Sequence, residues 1–317
     1  MGFNYNYVLD EINNSIYQRS ESSVSVLLIK KKFLFYIPLG AIVITYRYLI
    51  KKKAVTTNTL FASLALVALI SILLFFKNPL VEKRNALGPI YITLIFLFYP
   101  KLINSNSKFF FFLFLSMIVA FPLISTITHL DASLEETIAN PEIFFKLLVE
   151  SGSISTTFNS LHYDAYSNIL ATVEYTQFNG FSFGYLLLGS GLFFVPRSLW
   201  ASKPITTGKE VGSYLIETHS FGDGKFNNLS NPIISEGYIN FGVLGVILMF
   251  LILAYVIVIF LKWFSSSDSL KQLIAFYFAI HLIFLLRGDL TNGFAYFIGP
   301  FLGAYVFPKI VKRFFRK

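Results

Sequence analysis

Residues 238–261, "YINFGVLGVILMFLILAYVIVIFL", contain no charged side chain. An apolar run of ~18 residues or more is long enough to cross the hydrocarbon core of a bilayer as a helix. In lipid every backbone polar group must be satisfied internally, which leaves helices and closed barrels. Continuous apolar runs, rather than short alternating ones, select helices. Further apolar stretches lie at 33–50, 58–76, 86–100, 108–125, 272–286 and 292–308, with a shorter one at 181–195. The expected fold is an all-α integral membrane protein, a bundle of about 7–8 transmembrane helices. The low charge agrees: Asp, Glu, Lys and Arg make up 14% of the chain, against about 25% in a soluble domain.

Four regions follow. Residues 1–32 are polar and mixed in charge, without the apolar stretch of a signal peptide. Residues 33–125 hold the N-terminal spans, 126–237 a long polar region, and 238–317 the C-terminal spans and a basic tail. That tail carries Lys309, Lys312, Arg313, Arg316 and Lys317, which by the positive-inside rule puts the C-terminus in the cytoplasm. Counting spans backwards puts residues 287–292 and the segment before Tyr238 outside, so 196–237 faces outside. With 181–195 re-entrant, all of 126–237 forms a large outward-facing loop region; with 181–195 spanning, 126–180 is cytoplasmic. Within it Phe158, Leu161, Ala165, Ile169 and Val173 recur at steps of three and four, the spacing of an amphipathic helix, with Asp164 and Asn168 on another face. The stretch 181–195 either spans or is re-entrant. Its apolar core is short, Gly184, Gly189 and Gly191 interrupt it, and Pro196 ends it; at ~1.5 Å per residue it barely covers the membrane core. The re-entrant reading is favoured, and it leaves 126–180 and 196–237 on one face. Residues 196–237 are too long for a plain connector, a length typical of functional or disordered loops.

The net charge of +9 suits basic residues anchoring helix ends to the cytoplasmic surface, so no nucleic-acid partner is expected. Cysteine is absent, which excludes disulfides, thiolate metal sites and a cysteine nucleophile. His129, His162, His219 and His281 lack ligand spacing, and no P-loop, GxSxG or HExxH motif occurs, so neither a metal nor a cofactor is expected. His281 falls mid-span, as a hydrogen-bonded packing residue would.

Three polar clusters interrupt the apolar pattern. In "FFVPRSLWASKP", Arg197 follows an apolar segment directly, Trp200 is an interfacial aromatic by type, Lys203 adds a cation, and Pro196 and Pro204 stiffen both ends. A guanidinium binds phosphate as a fork and an ammonium as a point charge; the same residues also serve as snorkelling anchors and an aromatic belt. In "NLSNPIISEGYINFG", Glu236 stands near the start of a long helix, where the helix dipole favours a carboxylate and where a general base would also fit. In "LLRGDLTNG", Arg287 and Asp289 lie in a tight loop between two spans, paired with one another or turned into a shared cavity.

Taken in order, "DAYSNIL", "GFSFGYLLLGSGLFFVPRSLWASKP", "NLSNPIISEGYINFGVLG" and "LLRGDLTNG" resemble the O-antigen and capsule polysaccharide polymerase family, over roughly 158–305. The likeness rests on Pro196, Arg197, Trp200, Lys203 and Pro204, then Glu236, Gly237, Tyr238, Asn240, Phe241 and Gly242, then Arg287, Gly288 and Asp289. Members of that family usually carry more spans than this chain shows. The resemblance implies a bacterial inner-membrane glycosyltransferase that needs no metal. It would move a growing glycan from undecaprenyl pyrophosphate onto a new lipid-linked repeat unit, with a flippase and a chain-length regulator as partners. It implies Arg197, Lys203 and Arg287 as pyrophosphate-binding cations, with Arg197 and Arg287 stabilising the leaving group. Glu236 is the first candidate for the general base, with Asp164 and His162 behind it, and Trp200, Asp164, His162, Tyr238 and Asn240 would contact substrate. A ligase drawing on the same lipid carrier, and a non-enzymatic flippase or exporter of lipid-linked oligosaccharide, remain as alternatives. The gathering of charges at one face favours a site over a transport path.

Overall fold

The computed structural model of the protein describes residues 33–52, 54–78, 84–116, 142, 165–220 and 229–314. The described residues are helical, with no strand among them. In chain order the helices are α1 (Ile37–Lys51, preceded by a 3-10 turn at Leu34–Tyr36), α2 (Thr57–Phe76), α3 (Arg84–Phe98), α4 (Asn106–Phe114), α5 (Ala165–Asn179), α6 (Tyr185–Gly191), α7 (Thr207–His219), α8 (Ile233–Phe264), α9 (Ser269–Arg287), α10 (Leu290–Pro300) and α11 (Phe307–Phe314). A π-helical turn, Phe301–Val306, joins the last two.

Five stretches are long and apolar enough to cross a membrane: Leu34–Lys51, Thr57–Phe76, Ile233–Phe264, Ser269–Arg287 and Leu290–Phe314. Each coincides with an expected span. The run at 86–100 forms the shorter helix α3, and 108–125 lies partly outside the described residues. The run at 181–195 yields only α6, whose seven residues cover about 10 Å. A helix of that length does not span, so the re-entrant alternative fits it.

Side-chain chemistry at the termini explains the boundaries. Thr56 and Thr59 form a reciprocal capping box at the start of α2, with Thr56 N donating to Thr59 Oγ1 at 2.7 Å. Asp268 and Asp289 cap α9 and α10 by accepting from Leu270 N at 3.0 Å and Asn292 N at 2.7 Å. The bundle core joins α1, α2, α3 and α9 through Tyr36, Leu39, Leu73, Ile90, Leu94, Ile274 and Tyr277. His281 is buried and its Nε2 meets Gly293 O at 2.8 Å, the packing role its mid-span position suggests. Val243, Leu244, Leu251 and Tyr255 of α8 are exposed, the surface a bilayer would cover.

One break in the helical pattern positions everything that follows. α8 kinks at Phe241 and Gly242, where Gly242 takes φ +61, a conformation open to glycine. The bend folds the first two turns, Ile233–Asn240, back so tightly that a Cβ on Gly245 would stand 2.0 Å from Gly237 O. A kink frees the carbonyls at the end of the first segment, and a buried unpaired carbonyl costs about 1–3 kcal/mol. Here the chain after α5 supplies the missing donors. Ser182 N donates to Ile239 O at 2.9 Å and Phe183 N to Asn240 O at 3.0 Å. Ser182 Oγ also donates to Asn240 Oδ1 at 2.6 Å.

Candidate functional site

The site is built at the end of the bundle where α8 and α10 begin and α9 ends. α5 packs on α8 and α7, and α6 on α10 and α8. A small core of Ala171, Leu186, Val211, Leu215, Leu229 and Ile239 holds these elements together. α5 is the helix expected from the spacing of Phe158, Leu161, Ala165, Ile169 and Val173, of which Phe158 and Leu161 lie outside the described residues, but it buries the other face. Ala165 is exposed, Ile169 and Val173 are half-buried, and Asn168, Ala171, Thr172 and Thr176 are buried. Hydrogen bonding is the reason: Asn168 Nδ2 donates to Ser230 O at 2.9 Å and Thr172 Oγ1 to Asn231 Oδ1 at 3.1 Å. The segment leading into α8 is thereby strapped to α5, and Leu229 N ties it to α7 through Gly208 O at 3.0 Å.

The loop "VPRSLWASKP" leaves α6 and folds on itself. Lys203 Nζ donates to Phe193 O at 2.5 Å and Val195 O at 2.9 Å, while Arg197 Nη1 donates to Lys203 O at 2.7 Å. Burial, with Arg197 adding to it, lowers the Lys203 ammonium below the ordinary lysine range. Lys203 therefore spends two of its three donors closing the loop, whereas Arg197, exposed, spends one of five. Trp200 packs edge-on against Tyr185 at 6.0 Å. Pro204 fits against Gly189, where a Cβ would lie 2.4 Å from the proline ring.

Two cavities flank this loop and share Arg197, Lys203, Pro204 and Ile205. The larger, about 500 Å³, is walled by the aromatic rings of Tyr175, Phe181 and Tyr185, by Asn179 and Ser202, and by Glu210. The smaller, about 240 Å³, adds Lys209, Thr206 and Thr291 to the shared cations. The larger cavity thus sets rings, an amide, a hydroxyl and a carboxylate beside the shared cations, groups that suit a sugar; the smaller adds a third cation and two hydroxyls, which suit an anion.

Two carboxylates lie behind the wall made by Thr206 and Thr291. Asp289 is buried and hydrogen-bonded by Asn292, Thr206 and Thr291; its burial raises the carboxyl above the ordinary range, and those bonds partly offset the rise. Glu236 is 0% exposed. Its Oε1 accepts from the Thr207 hydroxyl and from Leu290 N at 2.7 Å, and its Oε2 has no partner among the described residues. The adjacent threonines 206 and 207 thus connect α7 to α10 and to α8 in turn.

The structure brings Arg197 and Lys203 into both cavities and sets Trp200 against the wall of the larger one. Tyr238 reaches that wall through an edge contact with Phe181 at 5.9 Å. Asn240 is buried, donating to Glu236 O at 2.8 Å. Glu236 and Arg287 line neither cavity; Arg287 closes the last turn of α9. Asp164 and His162 lie outside the described residues. The sequence reading missed α7 and with it Lys209, Glu210 and, on α5, Tyr175. The signal was present: Val211 and Leu215 stand one turn apart beside Gly208 and Gly212. Among the described residues, no group of three His, Cys, Asp or Glu side chains gathers as metal ligands would.

Searches of curated proteins and of solved structures returned no match. A family model did: the one described as O-antigen polysaccharide polymerase Wzy matches residues 153–317. That range begins just before α5 and includes both cavities.

Proposed function

Because this chain belongs to the O-antigen polysaccharide polymerase family, we propose that it joins undecaprenyl-pyrophosphate-linked repeat units into surface polysaccharide. The reaction takes place at the outer face of the bacterial cytoplasmic membrane. The observation that carries this reading is the pair of cavities meeting at Arg197. The donor diphosphate enters the smaller cavity, where Arg197 and Lys209 meet the charge that develops as the glycosyl bond breaks. The sugars lie against the rings of the larger one. Lys203 contributes by holding the loop closed, and Glu236 and Asp289 brace the wall behind it. No step requires a metal. A flippase that delivers repeat units and a regulator of chain length are the partners this activity calls for.

A strain deleted for the chain should accumulate single lipid-linked repeat units, and re-expression should restore long polysaccharide on a gel. Membranes from the re-expressing strain should extend chains in EDTA. Long chains in the deleted strain would remove the polymerase assignment, and EDTA inhibition reversed by Mg²⁺ would remove metal independence.

Orientation is tested separately. The chain has no cysteine, so single cysteines at Leu199, which is 81% exposed, and at Arg313 act as clean reporters. An impermeant thiol reagent on intact spheroplasts should label Leu199→Cys and spare Arg313→Cys. The reverse pattern would put the cavities on the cytoplasmic side.

A further inference from the structure

Glu210 is the one carboxylate among the described residues that line the larger cavity. It lies in the first turn of α7, half-buried, with the Tyr175 hydroxyl hydrogen-bonded to it. An acidic side chain in a first turn is ordinarily explained by the helix dipole. That accounts for its place on α7 but not for its company. Glu210 shares a space of about 500 Å³ with Arg197 and Lys203, yet it pairs with Tyr175, while the two cations turn to backbone carbonyls. A carboxylate and a guanidinium that face one cavity without meeting leave room for a ligand that needs both an acceptor and a cation.

The other carboxylates nearby are engaged elsewhere. Glu236 is 0% exposed, and Asp289 accepts from Asn292 through both its oxygens, at 2.7 and 2.8 Å. Glu174 accepts from the Tyr214 hydroxyl at 2.9 Å and pairs with His219, and lines neither cavity.

We propose that Glu210 is the catalytic base that takes the proton from the acceptor sugar hydroxyl. This rests on the larger cavity being the glycosyl-transfer site. The acceptor O–H bond breaks, and its proton passes to a Glu210 carboxylate oxygen. The acceptor oxygen forms a new bond to the anomeric carbon of the donor. The bond from that carbon to the diphosphate oxygen breaks, and its electron pair leaves on the lipid diphosphate beside Arg197 and Lys209. Glu210 then returns the proton to water. Burial raises the Glu210 carboxyl above the ordinary range and the Tyr175 bond partly offsets it, which moves it toward the pH at which a base must work. The titratable groups that share its cavity are Tyr175 and Tyr185 from α5 and α6 and Arg197 and Lys203 from the loop.

The test uses the full chain in detergent, lipid-linked repeat units extracted from the deleted strain, and undecaprenyl diphosphate as a binding probe. Glu210→Gln should slow polymerisation by roughly 10²- to 10⁴-fold and bind the probe as the parent does. Tyr175→Phe removes a donor that favours the ionised carboxylate, so the acid limb of its rate–pH profile should move to higher pH. Glu210→Gln at the parent rate beside an impaired Arg197→Lys would overturn the base assignment and leave the cavity reading standing. Parent rates from both variants would overturn the cavity reading itself. Loss of probe binding in Glu210→Gln, or an unmoved acid limb in Tyr175→Phe, would also count against the base.

Discussion

Arg197→Lys should slow polymerisation ~30- to 150-fold, leaving short chains on a gel at unchanged protein level. The charge survives this change, so an arginine that merely snorkels would tolerate it. The fork does not survive. A guanidinium presents five donors in a fixed plane, and Arg197 commits one of them, to Lys203 O at 2.7 Å. The rest are what a diphosphate would engage. Charge-assisted bonds lost from the transition state at ~2–3 kcal/mol give the stated slowing. Long chains at normal yield from Arg197→Lys would reduce this residue to an anchor. Lys203→Ala is expected to do harm by a different route, by releasing the carbonyls of Phe193 and Val195 and opening the loop that aims Arg197.

Glu236→Ala should cost about 2–6 kcal/mol of stability, seen as a lower melting temperature in detergent and a lower yield. The substitution strands two donors at once, the buried Thr207 hydroxyl and the half-buried Leu290 N–H, at about 1–3 kcal/mol each. Glu236→Gln keeps a carbonyl oxygen that can accept both bonds, so the protein should fold and should make long chains. That pair of variants separates the two roles the sequence allows. A general base fails as glutamine; a buried acceptor does not. Full-length protein that makes no polymer as Glu236→Gln would return the base to this position.

Hydropathy carried the bundle. The runs at 58–76, 238–261 and 272–286 fall inside Thr57–Phe76, Ile233–Phe264 and Ser269–Arg287, because lipid imposes one simple rule on every turn of a spanning helix. The site obeys a different rule. α5 turns Asn168, Thr172 and Thr176 inward, and no hydrophobic periodicity marks a face that is held by hydrogen bonds. Arg197 and Lys203 were legible because they stand alone after grease, although their division of labour was not. That depends on which carbonyls the loop brings within reach. Glu236 drew attention as a carboxylate at a helix start, and the sequence gives no hint that a kink five residues on would bury it. Glu210 went unnoticed for the converse reason: in a polar stretch one more acid has no contrast, and only its place in a cavity shared with Tyr175 and Arg197 sets it apart.

The kink in α8 also fixes a height. Beyond it, Val243–Phe264 measures about 33 Å at ~1.5 Å per residue, close to the ~30 Å thickness of a bilayer core. Mismatch between the two costs fractions of a kcal/mol per Å, so the membrane itself levels this helix. The folded-back turns are bonded to Ser182 and Phe183, and the cavity walls ride on them. Altitude above the lipid is therefore written into the length of one helix, independently of the residues that touch substrate. The lipid-linked donor proposed above, confined to the membrane plane, would arrive at that same altitude by lateral diffusion. The linings of the cavities can then change from one glycan to another without resetting the level at which donor and protein meet.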